Sequence, residues 1–371
     1  MLGFFILLFM RYLNKLIQRL KRIFYGYTTP RCVGLDISST AIKLVELKED
    51  SFIITKYRIY DLLKNQVSEG VINDIENVAA GIRNTWEDFK SKYEDVAIAI
   101  PQNAVIMREL KIPDVTNTYK IDEYVKDQLT KDLDTEDIDF DYVIKNLNSN
   151  EKIASVLIAK KEKIEEYQAV IQMSNIKVAA IDVENFALQF LFERIIPEKF
   201  YEQHIIFLEL AATRIKGFVF LGRKFILFNE MTVNYNNLIE EVVVELGDPG
   251  YIKHFTNCHV YLDEIIISKK VISQNLISAI SSDAAKMLQQ LKSSALVEKK
   301  MNLSTDAVCY LFGGNVLIPG VFEAVKKTFS SPPLYATELL ESSVNNYPKK
   351  DLVRLFTAIA LASWGQNIDK N

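Results

Sequence analysis

Two stretches of this 371-residue chain follow the same plan, and that repetition constrains the fold more than any other feature. In "VGLDISSTAIKLVELK", Val33 to Lys48, an apolar strand ends in a carboxylate, Asp36, then come small and hydroxyl residues, then a second apolar strand. In "HIIFLELAATRIKGFVFLGRKFILFNE", from His204, the strand ends in Glu209, the turn carries Ala211, Ala212 and Thr213, and two strands follow. The two units lie about 170 residues apart. A duplicated strand-turn-strand unit, in a chain too long for one typical domain, predicts two similar lobes.

Around each unit the periodicity is that of an α/β protein. Residues 31–61 read as three short antiparallel strands. In "DIENVAAGIRNTWEDFKS" the residues Ile75, Val78, Ala79, Ile82, Trp86 and Phe89 share one helical face, and "DVAIAIP" is a short buried strand. "AVIMRELKIP" is a further strand and "TYKIDEYVKDQLTKDL" a helix. Asp132 to Asp141, "DLDTEDIDFD", reads as a solvated acidic loop, because it lacks the ligand spacing and central glycine of a calcium loop. "KIASVLIAK" returns as a strand, "EKIEEYQAVIQMSN" is a helix, and "KVAAIDVENFALQFLFERI" runs from strand into helix.

Beyond the second unit, helices are expected at "NNLIEEVVVELG" and "NLISAISSDAAKMLQQLKSS". In "AVCYLFGGNVLIPGVFEAVKKTF" a buried strand then ends in Gly313 and Gly314, with a helix beyond Gly320. Such a glycine pair lets backbone approach a ligand closely. The closing "FTAIALASWGQNIDKN" reads as a buried helix with a polar tail.

Charge and cysteine content narrow the function. With 44 basic and 48 acidic residues the formal net charge is -4, which argues against nucleic acid as a partner. Cys32, Cys258 and Cys309 are far apart, which suits a reducing compartment, and "HFTNCH", with His254, Cys258 and His259, lacks a fourth ligand for zinc. The apolar run "LGFFILLFM" is too short to cross a bilayer, and its positive charges follow it, unlike those of a secretory signal. In "RYLNKLIQRLKRIFYGY", Leu13, Leu16, Ile17, Leu20 and Phe24 recur at helical spacing among purely basic charges. Residues 1–25 are therefore expected to lie on an anionic membrane surface; the alternatives are a partly disordered leader, or a start of translation at Met10. The expected organisation is a leader and linker over 1–30, a first lobe over 31–203 and a second over 204–371.

Two lobes with a carboxylate hairpin each, and a late glycine turn, make an interlobe nucleotide cleft. Hairpin amides and hydroxyls hold phosphates, each carboxylate orients a hydrated magnesium ion, and the glycine pair makes room for adenosine. This layout resembles the actin, sugar kinase and heat-shock chaperone superfamily. The runs "GLDISSTAIKLVEL", "EGVINDIENVA", "VAIAIPQNAVIMRELKIP", "VLIAKKEKIEEYQAVI", "VAAIDVENFAL" and "LFGGNVLIPGV" more specifically resemble the PilM family of type IV pilus assembly. The resemblance is good over Arg31 to Leu191, fair over the last 80 or so residues and weak from Asn234 to Val271. It implies a two-lobed actin-like fold, duplicated and ribonuclease H-like. An FtsA-type small subdomain is inserted in the first lobe, here at about 102–152. It further implies a cytoplasmic protein, peripheral on the inner face of the inner membrane, that binds the N-terminal tail of the bitopic protein PilN in a groove near that subdomain. Through PilN it connects to PilO, PilP and the pilus motor.

The nucleotide residues that the resemblance implies are Asp36, Ser38, Ser39, Thr40 and Lys43 in the first hairpin, Glu209, Ala211, Ala212 and Thr213 in the second, and Gly313, Gly314 and Asn315. Asp36 and Glu209 would hold magnesium through water, and Glu184 would sit near the attacking water, although it also reads simply as a helix N-terminal acid. Several of these depart from the family pattern. Ser38 replaces a glycine, where a side chain crowds a phosphate or, on a left-handed backbone, strains the turn by about 1 to 3 kcal/mol. Glu209 replaces aspartate, Ala211 replaces glycine, and Asn234 and Tyr235 stand where paired glycines are usual. These departures predict weakened binding of ATP with magnesium and no meaningful hydrolysis, since phosphoryl transfer depends on positioning. A small-molecule kinase with Asp182 or Glu184 as base, and an FtsA-like membrane-attached polymer, remain alternatives.

Overall fold

The computed structural model describes residues 31–63, 65–113, 118–131, 133, 137–146, 152–239, 274–304, 306–340 and 347–368. The leader, "HFTNCH" and most of the helix expected at "NNLIEEVVVELG" lie outside these.

Alternating and continuous apolar runs give the first sheet. Strands β1 (Val33–Ile37), β2 (Ala41–Leu47) and β3 (Ile54–Asp61) are antiparallel neighbours. A short hairpin of β4 (Val67–Ser68) and β5 (Val71–Ile72) leads to helix α1 (Ile75–Phe89). The Asp74 carboxylate caps α1 by accepting the Asn77 amide at 3.1 Å, and Lys90 ends it in a left-handed conformation. Strand β6 (Asp95–Ile100) then pairs parallel with β1.

The next strands leave this sheet for a small one of their own. Strands β7 (Val105–Ile112), β8 (Ile138–Asn146) and β9 (Lys152–Lys160) pair in the order β7-β9-β8, all antiparallel. Helix α2 (Thr118–Thr130) covers one face, with Ile121, Val125 and Leu129 against Ala154, Val156 and Ile158. Two expectations change here. The acidic loop expected up to Asp141 already becomes strand at Ile138, because Ile138, Phe140, Tyr142 and Ile144 alternate onto the α2 side. The inserted unit also runs to Lys160 rather than ending near 152, since β9 is its central strand.

Helix α3 (Lys161–Met173) returns the chain to the first lobe, β10 (Lys177–Val183) pairs parallel with β6, and α4 (Glu184–Ile195) follows directly. The first sheet is thus ordered β3-β2-β1-β6-β10. The second lobe repeats that order with β13 (Lys224–Thr232), β12 (Arg214–Leu221), β11 (His204–Leu210), β14 (Val308–Phe312) and β15 (Leu334–Tyr335). In both, three antiparallel strands are followed by two parallel ones. Helix α5 (Gln274–Lys299) covers the second sheet with Ile280, Ala284, Met287 and Leu291, and Gly217 is bare because a side chain there would press on Leu291. Helix α6 (Val321–Lys326) follows the glycine turn.

The chain's last helix, α7 (Phe356–Ala362), is buried over its whole length and packs on β1, β2 and α4. The expected second lobe, 204–371, therefore returns its final helix to the first lobe, where an apolar helix finds a sheet face to cover. Gly34 permits the crossing, since a Cβ there would lie 1.9 Å from the Ala358 carbonyl oxygen. In the opposite sense, Phe192 of α4 enters the second lobe, stacked on Phe207 at 3.9 Å and edge-on to Phe218, Phe220 and Phe312. Replacing Gly34 with alanine is expected to lower unfolding free energy by about 3 kcal/mol through overpacking, read from urea denaturation. Phe192→Ala should cost about 4 kcal/mol in the same assay.

Candidate functional site

Each hairpin closes on itself. The Ser38 amide donates to the Ala41 carbonyl at 3.0 Å and the Ser38 hydroxyl to the same oxygen at 2.8 Å. Ser38 thus acts as turn cement, and its backbone is not left-handed, so the strain anticipated for a side chain there does not arise. In the second hairpin the Ala211 amide donates to the Arg214 carbonyl at 3.0 Å.

Sheet register then fixes the charges. Across the first hairpin Asp36 faces Lys43, and across the second Glu209 faces Lys216. In both units a lysine follows the carboxylate by seven positions. Lys43 Nζ lies 2.8 Å from Asp36 Oδ2, and Lys216 Nζ lies 3.0 Å from Glu209 Oε2. Lys216 also donates a short hydrogen bond to Glu184, the first residue of α4, so one ammonium joins a carboxylate from each lobe. That ammonium is buried, its side chain 3% exposed.

Burial acts on all three groups; the charges win for Lys216 and Glu184, and burial wins for Glu209. For Lys216 burial favours the neutral amine, but Glu184 and Glu209 outweigh it and hold the ammonium protonated well above its ordinary range. Burial also pushes Glu184 up, yet Lys216 and Arg214 together hold it below the ordinary carboxylate range. Glu209 is pushed up by burial, and its attraction to Lys216 is offset partly by the Glu184 charge. Two carboxylates share one cation, and Glu184 has the better share.

The residues implied by the sequence converge. Asp36, Ser38, Ser39, Thr40, Lys43, Glu184, Glu209, Ala211, Ala212, Thr213, Gly313 and Gly314 all line one cavity between the lobes. Asn315 does not line it. It is buried, and its side-chain amide donates to the Ala211 carbonyl at 2.7 Å, holding the second hairpin from behind. Gly313, at φ 94°, passes so close to β11 that a Cβ would lie 2.7 Å from the Leu210 carbonyl oxygen, so the chain itself requires the glycine. Asp182 is elsewhere and engaged: it accepts from the Trp364 indole at 3.0 Å and from the Val183 amide at 2.7 Å. Asn234 accepts the Asn236 amide, and the Tyr235 hydroxyl donates to Asp283, so both serve local structure.

Lys216, Arg214, Arg354, Tyr167 and Gly70 also line the cavity, and sequence reasoning passed over them. Lys216 was readable from the repeat, as the counterpart of Lys43. The cavity measures about 90 Å³, against about 300 to 1,000 Å³ for small-molecule pockets in general. Across it, the Ser39 and Thr213 hydroxyls lie 3.4 Å apart, which leaves no room for a phosphate between the hairpins. ATP with magnesium does not fit between these residues as they stand. The carboxylates that would orient the ion carry lysines, and the two hairpins touch. Among the described residues no cluster of His, Cys, Asp or Glu suits a metal, and no helix is long and apolar enough to cross a membrane.

The family described as type IV pilus assembly protein PilM matches residues 34–246, more than half of the chain. Among solved structures, the PilM-PilN type IV pilus biogenesis complex superimposes with a TM-score of 0.69 at 16% identity, over 92% of this chain and 99% of that one. The ethanolamine utilization protein EutJ from Carboxydothermus hydrogenoformans superimposes at 0.50 with 13% identity, over 96% and 98%. At such identities the likeness carries the fold alone, which is the two-lobed actin-like one.

The unequal sharing of Lys216 has a pH signature. Glu184, held low, contributes stability that is present above its unfolded value of about 4.3 and lost as pH falls through its folded value. Glu209, held high, contributes stability present below about 4.3 and lost as pH rises through its folded value. Glu184→Gln should therefore destabilise by about 2 kcal/mol at pH 7, with the deficit shrinking in acid. Glu209→Gln should be neutral or stabilising at pH 7. Urea denaturation of both variants between pH 4 and 8 checks the opposite signs.

Proposed function

Because this chain belongs to the PilM family of type IV pilus assembly proteins, we propose that it is a non-catalytic scaffold on the inner face of the inner membrane. It binds the cytoplasmic N-terminal tail of a PilN-like bitopic protein and so connects the PilN, PilO and PilP complex to the pilus motor. ATP binds weakly at most and is not hydrolysed.

The observation that carries the non-catalytic half is Lys216. With its ammonium on both Glu184 and Glu209, neither carboxylate is available to orient an ion or an attacking water. For the partner, the support is the likeness along 92% of the chain to a protein solved as a PilM-PilN complex. The family resemblance implies that the tail lies as a short extended peptide near the inserted sheet. Where β7 leaves the first lobe, Val105 is buried in the lobe core while Ile106 and Met107 next to it are 54% and 53% exposed. The basic amphipathic residues 11–25 would add affinity for anionic lipid. Against the kinase reading, the Asp182 carboxylate accepts from the Trp364 indole and does not line the interlobe cavity.

The test is binding of the full chain to a synthetic peptide of the PilN-like tail, measured by calorimetry. Binding should be in the micromolar range or tighter and should weaken at least tenfold in an Ile106→Asp, Met107→Asp double variant. No binding to the peptide or to the full membrane partner would overturn the proposal. Phosphate release with magnesium-ATP should stay at the level of a protein-free control.

A further inference from the structure

In a cleft that closes on magnesium-ATP, the two lobes face one another with unpaired carboxylates, which repel until a cation arrives. Here the counterions are part of the chain. Asp36 has Lys43, Glu209 and Glu184 have Lys216, and Arg214 lies 3.6 Å from Glu230. We propose that Lys216 is a latch: its ammonium stands where a bridging ion would, ties Glu184 of the first lobe to Glu209 of the second, and holds the cleft closed without nucleotide.

Three features beyond that pair carry the inference. The tie crosses the lobes, because Glu184 begins α4 while Lys216 and Glu209 face each other within the second sheet. Two further contacts cross beside it: the Ser39 and Thr213 hydroxyls at 3.4 Å, and Arg214, whose guanidinium lies so near Gly70 that a Cβ there would be 3.0 Å from it. Elsewhere between β3 and the segment before α7, the Tyr57 hydroxyl donates to Asp351 at 2.5 Å and the Tyr347 hydroxyl to the Thr55 carbonyl at 2.8 Å. Separating the lobes would break all of these while wetting a buried ammonium. A bound triphosphate would bring further negative charge beside Asp36, Glu184 and Glu209 and compete with them for Lys43 and Lys216. Closure is thus a property of the chain and not of a ligand, which fits a part that must keep one shape.

Hydrogen exchange of the full-length protein, followed by mass spectrometry, tests the latch. Peptides spanning residues 36–43 and 209–216 should be equally protected with and without millimolar magnesium-ATP. In Glu184→Gln, which cuts the cross-lobe tie and leaves Lys216 on Glu209, exchange in both hairpins should rise roughly tenfold. The rise should be visible at labelling times so short that peptides from α7 and α5 stay unexchanged in both proteins, which separates opening of the cleft from general destabilisation. Lys216→Arg should remain protected. Hairpins that exchange freely until magnesium-ATP is added, or that stay protected in Glu184→Gln, would overturn the inference. Should that variant fail to fold, the wild-type comparison still decides. No arm contains the PilN-like tail, so the latch and the scaffold reading fail separately.

Discussion

Phe192 belongs by sequence to the first lobe and by packing to the second. Its ring stacks on Phe207 and is ringed by Phe218, Phe220, Phe312 and Phe356. Fully burying an aromatic side chain stabilises by about 2 to 3 kcal/mol, with more from favourable ring geometry. The exchange is mutual, since α7 crosses from the second lobe to lie on β1 and β2 of the first. With α7 crossing one way and the Phe192 ring the other, the lobes share a core. Whatever lies above that core, in the cleft, is set at a fixed spacing.

That spacing decides the chemistry. The antiparallel register of each hairpin sets a lysine opposite a carboxylate, but within a lobe this makes only a local ion pair. When the lobes are held together, Glu184 comes within reach of Lys216, and the pair becomes a bridge. A buried ammonium with one carboxylate would be only weakly favourable, because desolvation offsets the attraction. With two carboxylates it stays charged, and the cavity that remains is about 90 Å³. Residues that the family resemblance assigns to phosphate binding here hold the protein's own parts together. Ser38, Gly313 and Asn315 show the same reuse, as turn closure, close crossing and hairpin support.

Much of the architecture was legible locally. The strand β1, the turn at Ser38 and the strand β2 are written in apolar runs bounded by small polar residues, and the second unit repeats them. The buried terminal helix was also readable, since "FTAIALA" has no polar face. Where reading failed, the signal was mixed. The stretch Ile138 to Asp141 alternates aspartates with apolar residues, so its charge suggested solvent while its alternation encoded a strand with one face under α2. The end of the inserted sheet at Lys160 was hidden, because β9 looks like any buried strand until its neighbours are known.

By itself the sequence determined the duplication, the order of strands, the carboxylate seven positions before a lysine in each unit, and the substitutions at Ser38, Glu209 and Ala211. Those features are carried by residues close together in the chain, where periodicity and turn chemistry act. Only the tertiary structure decided that α7 leaves its own lobe, that Asp182 is taken by Trp364, and that Glu184 shares Lys216 with Glu209. Each of these depends on how two sheets and the helices between them pack. No local pattern encodes that distance, because it is set by the summed volumes of side chains such as Phe192 that lie far from the charges they bring together.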